Sequence, residues 1–230
     1  KAKHTNESET TVNISGEINT SGDVSVVGAN YVQSEMYADA IRAKIVGGSG
    51  VTVDNIINNT ATVNLQDAKI KADGSVSVGT YNTAVFNKET DKAVKGNGYG
   101  AGDTTCGYVN NDITTTANTN LLDSTSIISN GEQNYYADTD TDIKSAIYVL
   151  SGALIPNSSS INTLKMTSNN TVKLANAAKL ATSDDASDIT FAANDQHKLV
   201  ITSLSESIGA VNFATVAKNY NTVNRNNTIK

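Results

Sequence analysis

Tryptophan is absent from this 230-residue chain, and only three phenylalanines accompany nine tyrosines. A core with so few aromatics has to be aliphatic, and the tyrosines are expected to be partly exposed. Proline occurs once, at Pro156, so the bends must rely on Gly, Asn and Asp. Cys106 is alone, which excludes an intramolecular disulfide and reads as a small buried or partly buried side chain. Arginine occurs only at Arg42 and Arg225, and the net charge is −6 with a pI near 4.9. Nucleic acid is a poor partner for such a chain, because phosphate contacts need clustered Lys and Arg. No polybasic stretch resembles a membrane anchor, and no apolar run approaches the ~20 residues that span a bilayer. The sequence opens at Lys1 without Met or a signal-peptide pattern, which reads as a mature product or a piece cut from something longer.

What the sequence does have is a repeat. Thr11-Val12-Asn13 recurs as Thr62-Val63-Asn64 and Thr222-Val223-Asn224, with Thr171-Val172-Lys173 between and a degraded copy near Ile113-Thr114-Thr115. Ile18 to Val26 (INTSGDVSV) is echoed by Ile70 to Val78 (IKADGSVSV). The pattern predicts one elongated repeat domain over 1–230, with units of about 51–57 residues starting near 11, 62, 115, 171 and 222. A fixed period of this size points to stacked units, each burying its apolar face on the next.

The front half of each unit is strand-like. Val12 and Ile14, Val24 and Val26, Val63 and Leu65, Val76 and Val78, Val172 and Leu174, then Ile189 and Phe191, alternate with polar residues between short bends. Three such strands match one coil of a parallel β-helix with inward residues in ladders. Val12, Val24, Val26, Val63, Leu65, Val76, Val78, Val172, Leu174 and Ile189 are therefore expected to be buried. The back halves suggest short helical excursions. Met36, Tyr37, Ala40, Ile41 and Ile45 have helical spacing, as do Ile143, Ala146, Ile147 and Leu150 between an Asp142 N-cap and Gly152. Strand-like runs return at Val51 to Val53 and Val211-Asn212-Phe213. Residues 95–107 (KGNGYGAGDTTCG) read as a glycine-rich loop.

Motifs for chemistry are weak. Gly96 to Ala101 fits GxGxxA, but no helix pattern follows it, so a dinucleotide site is not expected. One loose likeness to a calcium-binding nonapeptide cannot form the stacked turns that share the ion. Asp138, Asp140 and Asp142 alternate, which puts three hard oxygen ligands on one side of an extended strand and marks a candidate Ca²⁺ site, with Asp184, Asp185 or Asp188 as further ligands. An EF-hand is excluded, because Ile143 stands where its Gly belongs and Val149 where its bidentate Glu belongs. The competing reading is a solvated acidic turn. Asp184-Asp185, the only adjacent acidic pair, reads as a bend rather than a glycosidase pair. His4 and His197 are the only histidines, no HExxH or CxxC spacing occurs, and no G-x-S-x-G elbow is present. No catalytic residue and no cofactor other than calcium is expected.

The run TVNISGEINTSGDVSV, its partner TVNLQDAKIKADGSVSV and the recurring Asn-Asn-Thr at 58–60 and 169–171 resemble the repeats of large bacterial filamentous adhesins and leukotoxin-like exoproteins of the filamentous haemagglutinin kind. The resemblance is clearest at 10–80 and 169–225. It implies a right-handed parallel β-helix (β-solenoid) shaft, secreted and held at the cell surface, that presents binding regions to host-cell or bacterial receptors, protein or glycan. It supplies no catalytic residues. The first expectation is thus a non-catalytic structural and adhesive rod without membrane insertion. The alternatives are a self-assembling S-layer or pilus-like filament subunit built as a β-sandwich from identical copies, and a β-helix polysaccharide lyase or hydrolase.

Overall fold

The computed structural model describes residues 1–87, 94–183, 187–211 and 214–230. The described residues form eleven strands and no helix: β1 (Ala2–Thr20), β2 (Val24–Ser34), β3 (Asp39–Ala43), β4 (Val46–Ala72), β5 (Val76–Phe86), β6 (Val94–Leu121), β7 (Ser126–Ser129), β8 (Gln133–Leu174), β9 (Lys179–Thr182), β10 (Ile189–Ile208) and β11 (Ala214–Ile229). All belong to one sheet, and the pairings are parallel. A parallel pair needs a long crossover. Here the crossover is the rest of a layer. Val12 pairs with Val63, Val63 with Thr119, Thr119 with Val172 and Val172 with Ile229, so the sequence offset between layers is not constant. The chain is all-β and solenoid-like.

This register explains the Thr-Val-Asn repeat. Val63 and Val172 are fully buried, while the next residue faces out. The outer Asn13, Asn64 and Asn120 form a ladder, with Asn120 Nδ2 donating to Asn64 Oδ1 and Asn64 Nδ2 to Asn13 Oδ1, both at 2.9 Å. The third copy is therefore Asn118-Thr119-Asn120, beyond the start expected near 115, because Thr119 replaces the valine that marks the others. Thr222 lies opposite Lys165, and the residue stacked on Thr171 is Thr228. The start expected at 222 is thus out of phase with the earlier copies.

The core is aliphatic, in three clusters. The largest runs from Val24 and Val26 through Val63, Leu65, Val76 and Val78 to Tyr135 and Val172. Ile57, Ile113 and Ile143 anchor the second, and Val53, Val109 and Ile147 the third. Each fully buried Val or Ile contributes about 1.5–3 kcal/mol. Of the residues expected inside, Val24, Val26, Val63, Leu65, Val76, Val78 and Val172 are buried. Val12 and Leu174 are partly buried against the first cluster. Ile189 is 38% exposed, because β10 has a neighbour on one side only. Tyr135 departs from the expected exposure of tyrosines. It is fully buried, stacks on Phe191 with centroids 5.2 Å apart, and donates its hydroxyl to Gln133 Oε1 at 2.7 Å. Burial pushes its pKa up. Cys106 is a free, half-buried thiol, and burial likewise raises its pKa.

Between the clusters runs a polar seam. Asn59 Nδ2 donates to the Thr83 carbonyl at 2.9 Å, Asn82 Nδ2 to that of Asn59 at 2.7 Å, and Asn170 Nδ2 to that of Asn194 at 2.8 Å. Asn162 Nδ2 reaches the Ser145 carbonyl at 3.0 Å. These amides tie opposite walls of the interior together, each bond contributing roughly 0.5–1.5 kcal/mol net.

Two expectations are corrected. The helical excursions are absent. Asp39–Ala43 is β3, and Thr141 to Gly152 lies within β8, where Ile143, Ile147 and Val149 point inward with Thr141, Ser145 and Ser151. Ala146 and Leu150, which completed the helical pattern, face outward. Ladder bonds to strands on both sides override the local periodicity. Residues 95–107 are strand, not loop. Gly98, Gly100 and Gly107 make room for neighbours. A Cβ at Gly98 would stand 2.0 Å from Asp103 Oδ2, and one at Gly107 2.6 Å from Ile147 and Val149. The expected strand-like run at Val211 lies mostly outside the described residues.

The bends hold the strain. Asp67, Asn87 and Ser124 have φ of 53°, 54° and 62°. Asn87 uses its side chain there, accepting from the Met36 amide at 2.8 Å. Ser124 is exposed and forms no comparable contact. A left-handed L-residue costs about 1–2 kcal/mol, partly offset by the backbone entropy that glycine loses on folding. Ser124→Gly is expected to raise Tm by roughly 1–4 °C in a thermal melt. A lower Tm would contradict this account of the bend.

Candidate functional site

Strands β2, β5, β8 and β10 stack in register, so their outward residues form columns. One column is Ala29, Tyr81, Asp138 and Asn194. The next is Tyr31, Thr83, Asp140 and Gln196, and the third is Gln33, Val85, Asp142 and Lys198. Strand alternation alone puts the three aspartates on one face, because each of Asp138, Asp140 and Asp142 is separated from the next by a single residue. The sequence expectation of a shared side is met, and the layers add the tyrosines, amides and lysine around them.

The aspartates have different partners. Asp138 Oδ1 accepts from Asn194 Nδ2 at 3.0 Å. Burial raises the Asp138 pKa, and the Asn194 hydrogen bonds counter part of that rise. Asp142 Oδ2 is 3.8 Å from Lys198 Nζ. Alternate residues of a strand stand about 6–7 Å apart, too far for three carboxylates to meet one Ca²⁺ at about 2.3–2.6 Å without bending inward. Among the described residues, no three His, Cys, Asp or Glu side chains gather into a metal-holding group. Asp184 and Asp185 lie outside the described residues, and Asp188 is exposed just before β10.

Tyrosines flank the carboxylates. Tyr31 is 60% and Tyr81 42% exposed. Tyr136 lies flat across Gly79, where a Cβ would come within 2.4 Å of its ring. Burial raises the Tyr136 pKa, the Ser77 hydrogen bond lowers it, and Asp138 adds to the rise. Two clefts of about 380 and 370 Å³ open on this face and share Asp140 and Gln196. Tyr81, Asp138 and Asn194 line the first, and Tyr31, Asp142 and Lys198 the second. Such a face offers aromatic surface with acceptor and donor groups around it, the chemistry of recognition.

Neither histidine joins the carboxylate columns, although the second cleft reaches His197. His4 Nε2 is 2.9 Å from Ser34 Oγ. His197 is turned into the interior, its side chain 1% exposed, against Thr141 and Asp195. Sequence reasoning found the aspartates by their alternation. It missed Tyr31, Tyr81, Tyr136, Asn194, Gln196 and Lys198, which lie far from one another in sequence and meet only through the strand pairing. No protein-family model, curated protein or solved structure matches the chain.

Proposed function

We propose that the chain is a right-handed parallel β-helix serving as a non-catalytic structural and adhesive segment of a secreted bacterial cell-surface protein. Its stacked layers make a stiff rod, and the outer face carrying Tyr31, Tyr81, Tyr136 and Asp138 meets a protein or glycan receptor on host cells or other bacteria. The observation that carries this reading is the parallel pairing that runs from the first layer to the last, with one register shift between Ile14 and Gly16. Each layer buries its aliphatic column on the next and leaves a polar surface, which is how quasi-one-dimensional repeat proteins gain both stiffness and extended binding surface. Structural calcium has a place only at single aspartates such as Asp140, whose carboxylate would be its one protein ligand.

The test has two parts. Small-angle scattering on dilute protein should give a rod-like cross-section, and a compact particle would remove the rod. Labelled protein should bind cells or a glycan array, and Tyr31→Ala with Tyr81→Ala should lower that binding at least ten-fold without moving Tm. Release of oligosaccharide from acidic polysaccharides, with or without Ca²⁺, would replace the adhesive reading with the enzymatic one.

A further inference from the structure

One corner of the stack is apolar in four successive layers. It carries Ile45 and Val46, then Ala101 and Gly102, then Leu154 and Ile155, then Ala210 and Val211. Val46, Gly102 and Ile155 are register partners, and the Val211 amide donates to the Leu154 carbonyl at 3.0 Å, which sets Val211 on Ile155. Ile45 is 83%, Val46 73% and Leu154 62% exposed, and Ile155 and Val211 are exposed as well. Lys44 is the only charged residue among 43–46, 99–102, 152–155 and 208–211. Single exposed aliphatics are ordinary on a protein surface, whereas a contiguous run of them marks an interface.

Bulk alternates along this corner. Ile45 and Val46 are large, Ala101 and Gly102 small, Leu154 and Ile155 large again. The second layer is therefore a groove between two ridges that stand two layer spacings, about 9–10 Å, apart. Gly102 lies at the bottom of it, and its own chain gives no reason for glycine there. A Cβ at Gly102 would meet nothing within 4 Å, and its φ is not left-handed. At neighbouring Gly100, by contrast, a Cβ would collide with the Lys44 carbonyl oxygen. Glycine weakens a strand interior and marks places where another backbone or a ligand comes close.

We propose that this corner docks on the same corner of a second copy running the opposite way, about a two-fold axis that crosses it between the second and third layers. The axis sets the first layer of one copy against the fourth of the other, and the second against the third. The Leu154–Ile155 ridge of each copy then enters the Ala101–Gly102 groove of its partner. The outer pairs fit in the same way. Ile45 meets Ala210, Val46 meets Val211, and Ala43 meets Ile208, while Lys44 meets Gly209. Tyr99, which leans over Gly152 of its own chain, faces its counterpart across the axis. A parallel arrangement would set ridge on ridge and groove on groove. Farther out, Lys95 comes to Tyr148 and Ile41 to Glu206, at a rim open to water. Four residues along the strands and four layers across give a footprint of roughly 13 by 19 Å. That is small beside the ~800 Å² per partner of a standard interface, so the dimer is weak, with Kd of roughly 10–500 µM. It rests on the layer register of the shaft and not on the receptor face.

Sedimentation equilibrium of the full chain, from well below to well above that Kd and with a reductant to keep Cys106 free, reads the contact. The mass should rise from monomer to dimer and stop. Gly102→Ile adds a side chain into open space, so circular dichroism and Tm should match the parent. It fills the groove, however, and should weaken dimerisation at least about ten-fold. Ile155→Gly removes the ridge and should weaken it by a similar factor. The variant with both changes exchanges large and small across the axis, and its Kd should return to within about three-fold of the parent. A purely structural role for either residue would not produce that rescue. Dimers untouched by Gly102→Ile, a double variant no better than the single ones, or growth past the dimer would each overturn the proposal. A parent that stays monomeric while Gly102→Ile melts normally keeps the layers and removes the dimer alone. Binding of that monomer to phosphatidylcholine vesicles would assign the corner to a lipid surface instead. A Gly102→Ile variant that melts well below the parent would show that the corner register is wrong, and would remove the layered reading with the dimer.

Discussion

Val76→Asp is expected to leave the protein unfolded, or destabilised by at least about 4–5 kcal/mol, in a far-UV circular dichroism melt. Val76 is fully buried in the largest cluster and pairs with Val24 on one side and Gln133 on the other. Aspartate there would place a carboxylate between two layers with aliphatic neighbours and no cation. Against a typical total stability of about 5–15 kcal/mol, such a loss decides whether the fold persists. Lys71→Asp, on the exposed outer face of β4, is the matched control and should stay within about 0.5 kcal/mol of the parent. If both variants melt like the parent, the assignment of Val76 to the interior is wrong.

The apolar half of this arrangement was legible in the sequence, and for a physical reason. Alternation at Val24/Val26, Val63/Leu65 and Val76/Val78 repeats in two successive units because each valine or leucine sits on its counterpart. Where the stacked residues stay alike, the eye finds the period. Where they change, it fails. Thr119 stands in the Val63 and Val172 column, and Gln133 in the Val24 and Val76 column, so the third layer was placed wrongly or left unread. The helical reading of Ile143, Ala146, Ile147 and Leu150 failed because the strand puts only Ile143 and Ile147 inside and turns Ala146 and Leu150 out, a choice made by partners a full layer away in the chain. The candidate face divides the same way. Asp138, Asp140 and Asp142 are local and were visible. Tyr31, Tyr81 and Lys198 join them only through offsets that change from one layer to the next, which no fixed period reveals.

Those varying offsets also bear on function. A layer can gain or lose residues at its bends without disturbing its ladder, as at the register shift between Ile14 and Gly16. The interior columns must stay complementary, whereas the outer columns are free to carry whatever a partner requires. Tyr31, Thr83, Asp140 and Gln196 share one outer column with no common chemistry, while the inner column beside it runs Val32, Ala84, Thr141 and His197. That column becomes more polar toward the last layer, ending beside Asp195 and Arg225. The interior thus combines aliphatic clusters with an amide seam through the layers and carries an ionic pair at one end.

Asn162→Ala should cost about 2–4 kcal/mol, a loss out of proportion to the few atoms removed. The Asn162 side chain is completely buried. Its Oδ1 accepts from Ser145 Oγ at 3.0 Å and from Asn111 Nδ2 at 3.4 Å, and its Nδ2 donates to the carbonyls of Ser145 at 3.0 Å and Thr202 at 3.3 Å. Alanine would take the acceptor from the Ser145 hydroxyl, which keeps only the Asn111 Nδ2 donor at 3.0 Å, and leave the carbonyls of Ser145, which is 2% exposed, and Thr202 without that donor. Around Ser145 water has little access to replace these bonds, so the desolvation cost of its groups remains. Asn162→Asp separates the donor role from the acceptor role. It keeps the acceptor for Ser145 Oγ but turns a carboxylate oxygen toward two carbonyls, so it should be less stable than the alanine variant at neutral pH. The expected order in urea denaturation is parent, then Ala, then Asp. An alanine variant within about 0.5 kcal/mol of the parent would mean that the amide seam sets which layers face each other without adding stability, and that the aliphatic columns alone hold the layers together.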